Sequence, residues 1–341
     1  VQFPMEARLV SIVSALSLCC SLLSGAQDLS CTSAPQGLAP LYGAAPPKVA
    51  LPLHRRGWEG CEKCGGAERL GVLYDHEDVR ELDAASAEVL LDGVRAYGVV
   101  VIRHQNLSRK EQVALTAKLG EVVVLPQSFE GNDPEEGQPA IQRITNFWSN
   151  GTWKGPHHNF GSYWHQDGQF WTRPKHYILS LLHAQSTPAS HGETGFADLR
   201  AAYATLSQPL RERSANASIV ASVQDIADFR KGSPDDLAKF PDARHAILDR
   251  HRVDQGPLLF LGSPHMRVEG LESESAGKSL LNMLLTHATS PSFTYFHRWE
   301  NGDILLWDNV QTLHHAFPYN NDGVAKREFY RTQARIQEID A

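Results

Sequence analysis

Apolar residues recur at helical spacing through SAEVLLDGVRAYG (residues 86–98), and the stretch ends on Gly98, a residue suited to closing a helix. The next positions, VVVIR (99–103), are apolar almost without a break, which predicts a buried strand. Ser108-Arg-Lys-Glu111 is a capping-box pattern and opens a second predicted helix to about Leu119. EVVVL (121–125) predicts another strand, and residues 126–162 read as loop, most polar at EGNDPEEGQP. HYILSLLHA (176–184) and PLLFLG (257–262) predict strands, and GKSLLNMLLTHA (277–288) predicts an amphipathic helix. SFTYFHRW (292–299) and DILLWDN (303–309) predict two further strands. The Asn301-Gly302 pair between them predicts a hairpin.

Strands dominate this pattern and do not alternate strictly with helices. That argues against a doubly wound parallel sheet and for a β-sandwich or barrel carrying helices. With 341 residues, 42% hydrophobic and 21% charged, the chain can build a sizeable core. A net charge of −7 gives no basic footprint and excludes nucleic acid as an expected partner. Residues 1–4 precede the first methionine, Met5, and are read as an artefact of the gene model. One arginine, an apolar run at Leu9–Leu23 and small residues at Ser24 and Ala26 then read as a secretory signal peptide ending near residue 26. The alternative is an organellar transit segment. Neither that run nor any other stretch is expected to form a stable membrane span. Residues 27–66 are rich in Pro, Gly and Ala and read as a linker or disordered arm, which leaves residues 67–341 as one catalytic domain. Cys31, Cys61 and Cys64 would remain after signal removal, and one disulfide plus one spare thiol is expected in an oxidising lumen. Asn106, Asn150 and Asn216 head glycosylation sequons. Oligomeric state is not legible.

The candidate chemistry sits in YWHQDGQF (163–170). A His-x-Asp/Glu triplet is a cheap pattern: 16 His and 39 Asp+Glu in 341 residues give about two by chance. The chain has three, beginning at His76, His165 and His191. Two residues two apart on a strand share a face, so His165 and Asp167 could hold one metal. A third ligand would come from TLHHA, where His314 and His315 are both available. Two arginines four apart, Arg327 and Arg331 in KREFYR, would share a strand face and suit carboxylates. Trp164 and Trp307 read as core packing.

Taken in order, YGVVVIRHQNLSRKEQVALTAKLGE, YWHQDGQF, GETGFADLRAAY, HRWENGDILLWDN, TLHHA and KREFYR resemble the iron(II)/2-oxoglutarate-dependent dioxygenases of the taurine dioxygenase and dichlorophenoxyacetate dioxygenase family. The resemblance spans about residues 70–338, and the stretch 257–335 is most similar to the dichlorophenoxyacetate branch. It implies a mainly β fold with flanking helices, a double-stranded β-helix (jelly roll, cupin-like). It implies Fe(II) held by His165, Asp167 and His314, with His315 outside the ligand set. It implies that Arg327 and the Thr194 hydroxyl take the far carboxylate of 2-oxoglutarate, and that Arg331 takes an anion on a small organic substrate. O2 and, in support, ascorbate complete the cofactor set. The implied reaction decarboxylates 2-oxoglutarate to succinate and CO2 while a C–H bond of the substrate is hydroxylated. A second buried guanidinium is costly without an anion, which reinforces the expectation for Arg331. Leu125 and Ser128 stand near where taurine enzymes place a His and a Tyr, so taurine is not the expected substrate. Val310 stands where many relatives have Arg, which implies altered bonding around the metal ligands rather than loss of the metal. The competing reading is a non-catalytic lumenal binding protein on the same scaffold.

Overall fold

The computed structural model describes residues 70–74, 78–126, 129, 134–135, 137–156, 161–226, 232–251 and 254–336. The apolar run 9–23, the arm 27–66, the three remaining cysteines, His76 and Ser128 lie outside the described residues. The strands in chain order are β1 (Val72–Tyr74), β2 (Val99–Ile102), β3 (Glu121–Val122), β4 (Pro134–Glu135), β5 (Gln138–Thr145), β6 (Ile178–Ser186), β7 (Thr194–Asp198) and β8 (Ser218–Ala221). They continue with β9 (Ala243–Ala246), β10 (Leu248–Arg250), β11 (Pro257–Leu259), β12 (Arg267–Glu269), β13 (Thr294–His297), β14 (Ile304–Asp308), β15 (Thr312–Ala316) and β16 (Glu328–Arg335). The longest helices are α1 (Ala84–Tyr97), α2 (Arg109–Leu119) and, numbering past three short ones, α6 (Glu274–Ala288).

Eight strands form one sheet in the order β1-β2-β14-β6-β16-β5-β4, with β3 joined to β16. A second sheet runs β13-β7-β15. Alternation along β2 shows how the layers assemble. Val99 and Val101 pack with Leu305, Trp307 and Phe329 against Phe196 of the small sheet. Val100 and Ile102 point the other way and pack with Leu90, Val94 and Leu115 of the two N-terminal helices. Successive side chains on a strand face opposite sides, so an unbroken apolar run is what a strand between two apolar layers needs. The arrangement is a double-stranded β-helix with flanking helices. No helix among the described residues is long and apolar enough to cross a membrane.

Local signals placed the helices well. Asp83 caps α1, Gly98 closes it at φ +71°, and Ser108 with Glu111 forms both bonds of the capping box on α2. Three strand expectations are corrected. β5 lies inside the stretch read as loop. Its polar residues resemble a solvated segment, yet pairing with β16 buries Gln142, and Arg143 faces Glu328. The strand read over residues 121–125 is shortened to β3. The expected hairpin at Asn301-Gly302 does not form: β13 pairs with β7, while β14 pairs with β2 and β6. The turn instead carries the chain from one sheet to the other. Gly302, at φ +86°, sits so close to the large sheet that a Cβ would lie 2.8 Å from the Gln105 carbonyl oxygen. Asp303 follows it into full burial against Arg103 and His297.

Candidate metal centre

His314 lies in the middle of β15, opposite Phe196 of β7. His165 joins it through a lone bridge, the two backbones exchanging N–H···O bonds of 3.0 and 2.9 Å. The strand expected at His165–Asp167 is therefore corrected. The chain leaves the bridge at Gln166, whose N–H goes to the Gly262 carbonyl and whose side chain bonds the Leu261, Gly262, Asn309 and Val310 backbones. A turn then brings Asp167 round. Gly168 follows at φ +75° against Ile178, where a Cβ would fall 2.5 Å away. The outcome still brings His165, Asp167 and His314 together, with their ligand atoms within 4.8 Å of one another. Asp167 Oδ1 is 3.8 Å from His165 Nε2, and Oδ2 is 3.8 Å from His314 Nε2. His165 Nδ1–H donates to the Tyr163 carbonyl at 2.8 Å, which leaves Nε2 as the lone-pair nitrogen turned to its partners.

The electrostatics suit a cation. Burial alone would raise the Asp167 carboxyl, but Arg331, His314, His165 and the Ser180 hydroxyl together hold it well below the usual carboxylate range. Burial, and then His165, keep His314 neutral. An ionised carboxylate and neutral imidazoles are the forms that bind metal.

Arg331 lines the site, but the electrostatic argument for its substrate role is corrected. Its Nη1 donates to both Asp167 oxygens at 3.1 and 2.9 Å, while Nε and Nη2 donate to Gln142 Oε1. The protein itself supplies the counter-charge that the sequence argument assigned to a substrate. Arg327 is the contrasting case. It is buried, its Nε has no hydrogen-bond partner, and no carboxylate pairs with it among the described residues. Its guanidinium carbon lies 4.2 Å over the Phe329 ring, and burial pushes its pKa down to about 10, with Tyr319 opposing. Thr194 is buried and accepts a 3.0 Å bond from Trp299 Nε1, which leaves its own O–H to donate. Trp299 packs edge-on against the same Phe329 ring, so Thr194 and Arg327 border one continuous cluster.

His315 is half-buried between Trp164 and Phe317 and is not part of the cluster of ligand atoms. Burial, and then His165, lower its pKa to about 4. His191 is exposed at φ +61° and forms an isolated bridge with Tyr319. Trp307 is core and Trp164 packs on the edge of it. Leu125 is buried, and Val310 packs on Tyr177 and Leu258. Sequence reasoning missed Gln142, Ser180, Asn309, Gln333 and Trp299. Asn309, beside Asp308 in the LLWDN run, was the one within reach of a sequence signal.

A cleft open to solvent reaches His165 and Asp167 and is walled by Leu125, Tyr163, Phe170, Trp171, Ile226 and Arg331. A jelly roll that gathers two imidazoles and one carboxylate beside such a cleft has the donor set of the non-haem iron oxygenases. Comparison with known proteins narrows this. Residues 63–333 match the model of the "Taurine catabolism dioxygenase TauD, TfdA family", and the chain belongs to that family. It is similar to the alpha-ketoglutarate-dependent 2,4-dichlorophenoxyacetate dioxygenase of Cupriavidus pinatubonensis, at 28% identity over 83% of this chain and 96% of the relative. It is also similar to the alpha-ketoglutarate-dependent sulfate ester dioxygenase of Pseudomonas putida, at 29% identity over 80% of this chain and 84% of that one. Among solved structures, a taurine dioxygenase from Burkholderia xenovorans superposes with a TM-score of 0.63 at 25% identity, covering 79% of this chain and 87% of the other. The protein is an iron(II)- and 2-oxoglutarate-dependent dioxygenase.

Proposed function

We propose that the protein hydroxylates a small anionic organic molecule, with 2-oxoglutarate converted to succinate and CO2. His165, Asp167 and His314 would hold the iron. When bound together, iron and 2-oxoglutarate activate O2 for attack on an otherwise unreactive C–H bond. The observation that carries the reading is Arg327, a buried guanidinium without a carboxylate partner among the described residues. Such a group is costly to bury alone, and its planar fork matches a carboxylate, which supports a place for the far end of 2-oxoglutarate. The Thr194 O–H supplies a second donor there. Tyr163, Phe170, Trp171 and Ile226 keep water from the cleft wall and suit an apolar body on the substrate. Arg331 offers its cleft-facing side to the substrate anion. The relatives named for 2,4-dichlorophenoxyacetate and for sulfate esters make aryloxyacetates and alkyl sulfates the first candidates. The test is succinate release with Fe(II), ascorbate and 2-oxoglutarate across these anions and their neutral alcohol counterparts. The reading expects stimulation by one anionic class, and a neutral compound as best substrate would sink the anionic assignment.

The apolar run 9–23 supports a lumenal or secreted address for this activity. Asn106, Asn150 and Asn216 are exposed, as glycan acceptors must be. Expression in a secreting eukaryotic cell should give a product that an endoglycosidase shifts to lower mass. An unshifted product with residues 1–26 still attached would count against this address.

A further inference from the structure

We propose that Ser180, Gln333 and Asn309 are positioning residues that orient Asp167 so that Oδ1, and not Oδ2, is its metal-binding atom. The inference rests on reading His165, Asp167 and His314 as the metal ligands. It starts from an imbalance between the two carboxylate oxygens. Oδ2 accepts from Ser180 Oγ at 3.0 Å, from Gln333 Nε2 at 3.0 Å and from Arg331 Nη1 at 2.9 Å. Oδ1 accepts from Arg331 alone among the described residues, at 3.1 Å. The two oxygens lie equally far from the imidazoles, Oδ1 at 3.8 Å from His165 Nε2 and Oδ2 at 3.8 Å from His314 Nε2, so the number of donors is what distinguishes them. A carboxylate oxygen offers about two lone-pair directions. The protein has therefore filled Oδ2 and left capacity on Oδ1.

The donors are themselves fixed. Ser180 Oγ accepts from Asn309 Nδ2 at 2.9 Å and from Gln333 Nε2 at 3.0 Å. Both of those are N–H donors, so the single hydroxyl hydrogen of Ser180 must point at Asp167. Asn309 Nδ2 also donates to the Ile178 carbonyl, and its Oδ1 accepts from the Asp167 backbone N–H at 3.1 Å and from Trp307 Nε1 at 2.8 Å. Asp167 is thus gripped at its backbone and at its carboxylate by one closed ring of bonds. Ser180, Asn309 and Trp307 are almost completely buried, so water does not compete for these donors. A carboxylate released from this ring would be able to turn both oxygens to the metal and take a position needed by 2-oxoglutarate or O2.

The test uses Mn(II) as a redox-silent probe on the full chain. Crystals of the Mn(II)-loaded wild type should show contact through Asp167 Oδ1 only. Gln333→Met, and more fully Gln333→Met with Ser180→Ala, should bring both oxygens to the metal, and Ser180→Thr, which keeps the hydroxyl, should not. In calorimetry with Mn(II) present, the double variant should bind 2-oxoglutarate about tenfold more weakly, because the turned carboxylate occupies a position the cosubstrate needs; the size is set by analogy with the loss of metal affinity or activity that follows when ligand-orienting partners are removed. If the double variant does not fold, Gln333→Met alone carries both measurements, since Gln333 borders the cleft. Contact through Oδ2 in the wild type overturns the proposal. So does a variant that melts earlier yet keeps single-oxygen contact and unchanged 2-oxoglutarate affinity. A wild type that binds no Mn(II) at this cluster overturns the ligand reading, and this proposal with it.

Discussion

At the scale of single residues, the site depends on a few side chains whose charge states are set by burial and by their charged neighbours. His165→Ala, Asp167→Ala and His314→Ala should each abolish iron-dependent turnover, because a facial set of three cannot lose a member and keep its geometry. His191→Ala should leave turnover near wild type, as that side chain is exposed and outside the cluster. Full activity in His314→Ala alongside loss in His315→Ala would show that the wrong neighbour was chosen. Arg327→Ala should weaken 2-oxoglutarate binding by about 2–5 kcal/mol, the range for removing one partner of a buried charge pair. Titration of 2-oxoglutarate consumption reads this directly, and an unchanged half-saturation point would remove Arg327 from the cosubstrate site. Arg331 shows what residue-level reasoning can miss. Its burial was correctly inferred, and its contacts with Gln142 and Asp167 were not, because those residues stand 189 and 164 residues away along the chain.

At the scale of elements, local rules succeeded where the deciding contacts are local. The capping box of α2 and the glycine at the end of α1 lie within a few residues of what they cap. They failed where a turn residue serves a distant contact. Asn301-Gly302 carries the composition of a hairpin turn, but its glycine is required by the approach of the Gln105 backbone and by a positive φ. Gly302→Ala should therefore cost about 1–3 kcal/mol, the usual strain of a non-glycine residue held in that region. Denaturant unfolding measures it, and a loss below the error of the method would mean that the crossing between sheets tolerates a side chain. β5 failed for a related reason. A strand whose buried positions include Gln142 and Thr145 lacks the alternation that marks a strand in sequence.

At the scale of the whole molecule, acid sensitivity follows from histidines buried as neutral bases. Burial lowers His245 to about 4, with its bond to the Gln169 carbonyl opposing. The unfolded chain titrates such a side chain near 6.5. Between those values the unfolded state binds more protons than the folded one. The contribution is thus fully present above about pH 6.5 and is lost as pH falls towards 4, by up to about 3 kcal/mol for this residue. Urea midpoints at pH 7.5 and 5 should differ, and His245→Phe, which can stack on Phe260 in the same place, should reduce the difference. Equal midpoint shifts in both proteins would assign the acid sensitivity elsewhere.

The three long helices, the doubly buried β2 and the chemical character of the site were legible in the chain, because these rest on spacing within short segments. His165 and Asp167 were legible as a pair, and the ordered motifs selected His314 and Arg327 with them. The tertiary structure decided how those pieces meet. It replaced the strand at Asp167 with a bridge and a turn, joined β14 to β6 rather than to β13, and gave Arg331 an internal counter-charge. It also placed Ser180, Asn309 and Gln333 around one carboxylate, although each is an ordinary polar residue in sequence. The physical reason is range. Helix caps and strand alternation are written in neighbouring residues, whereas pairing partners and the ring of bonds around Asp167 join segments that only the folded sheets bring within hydrogen-bond distance.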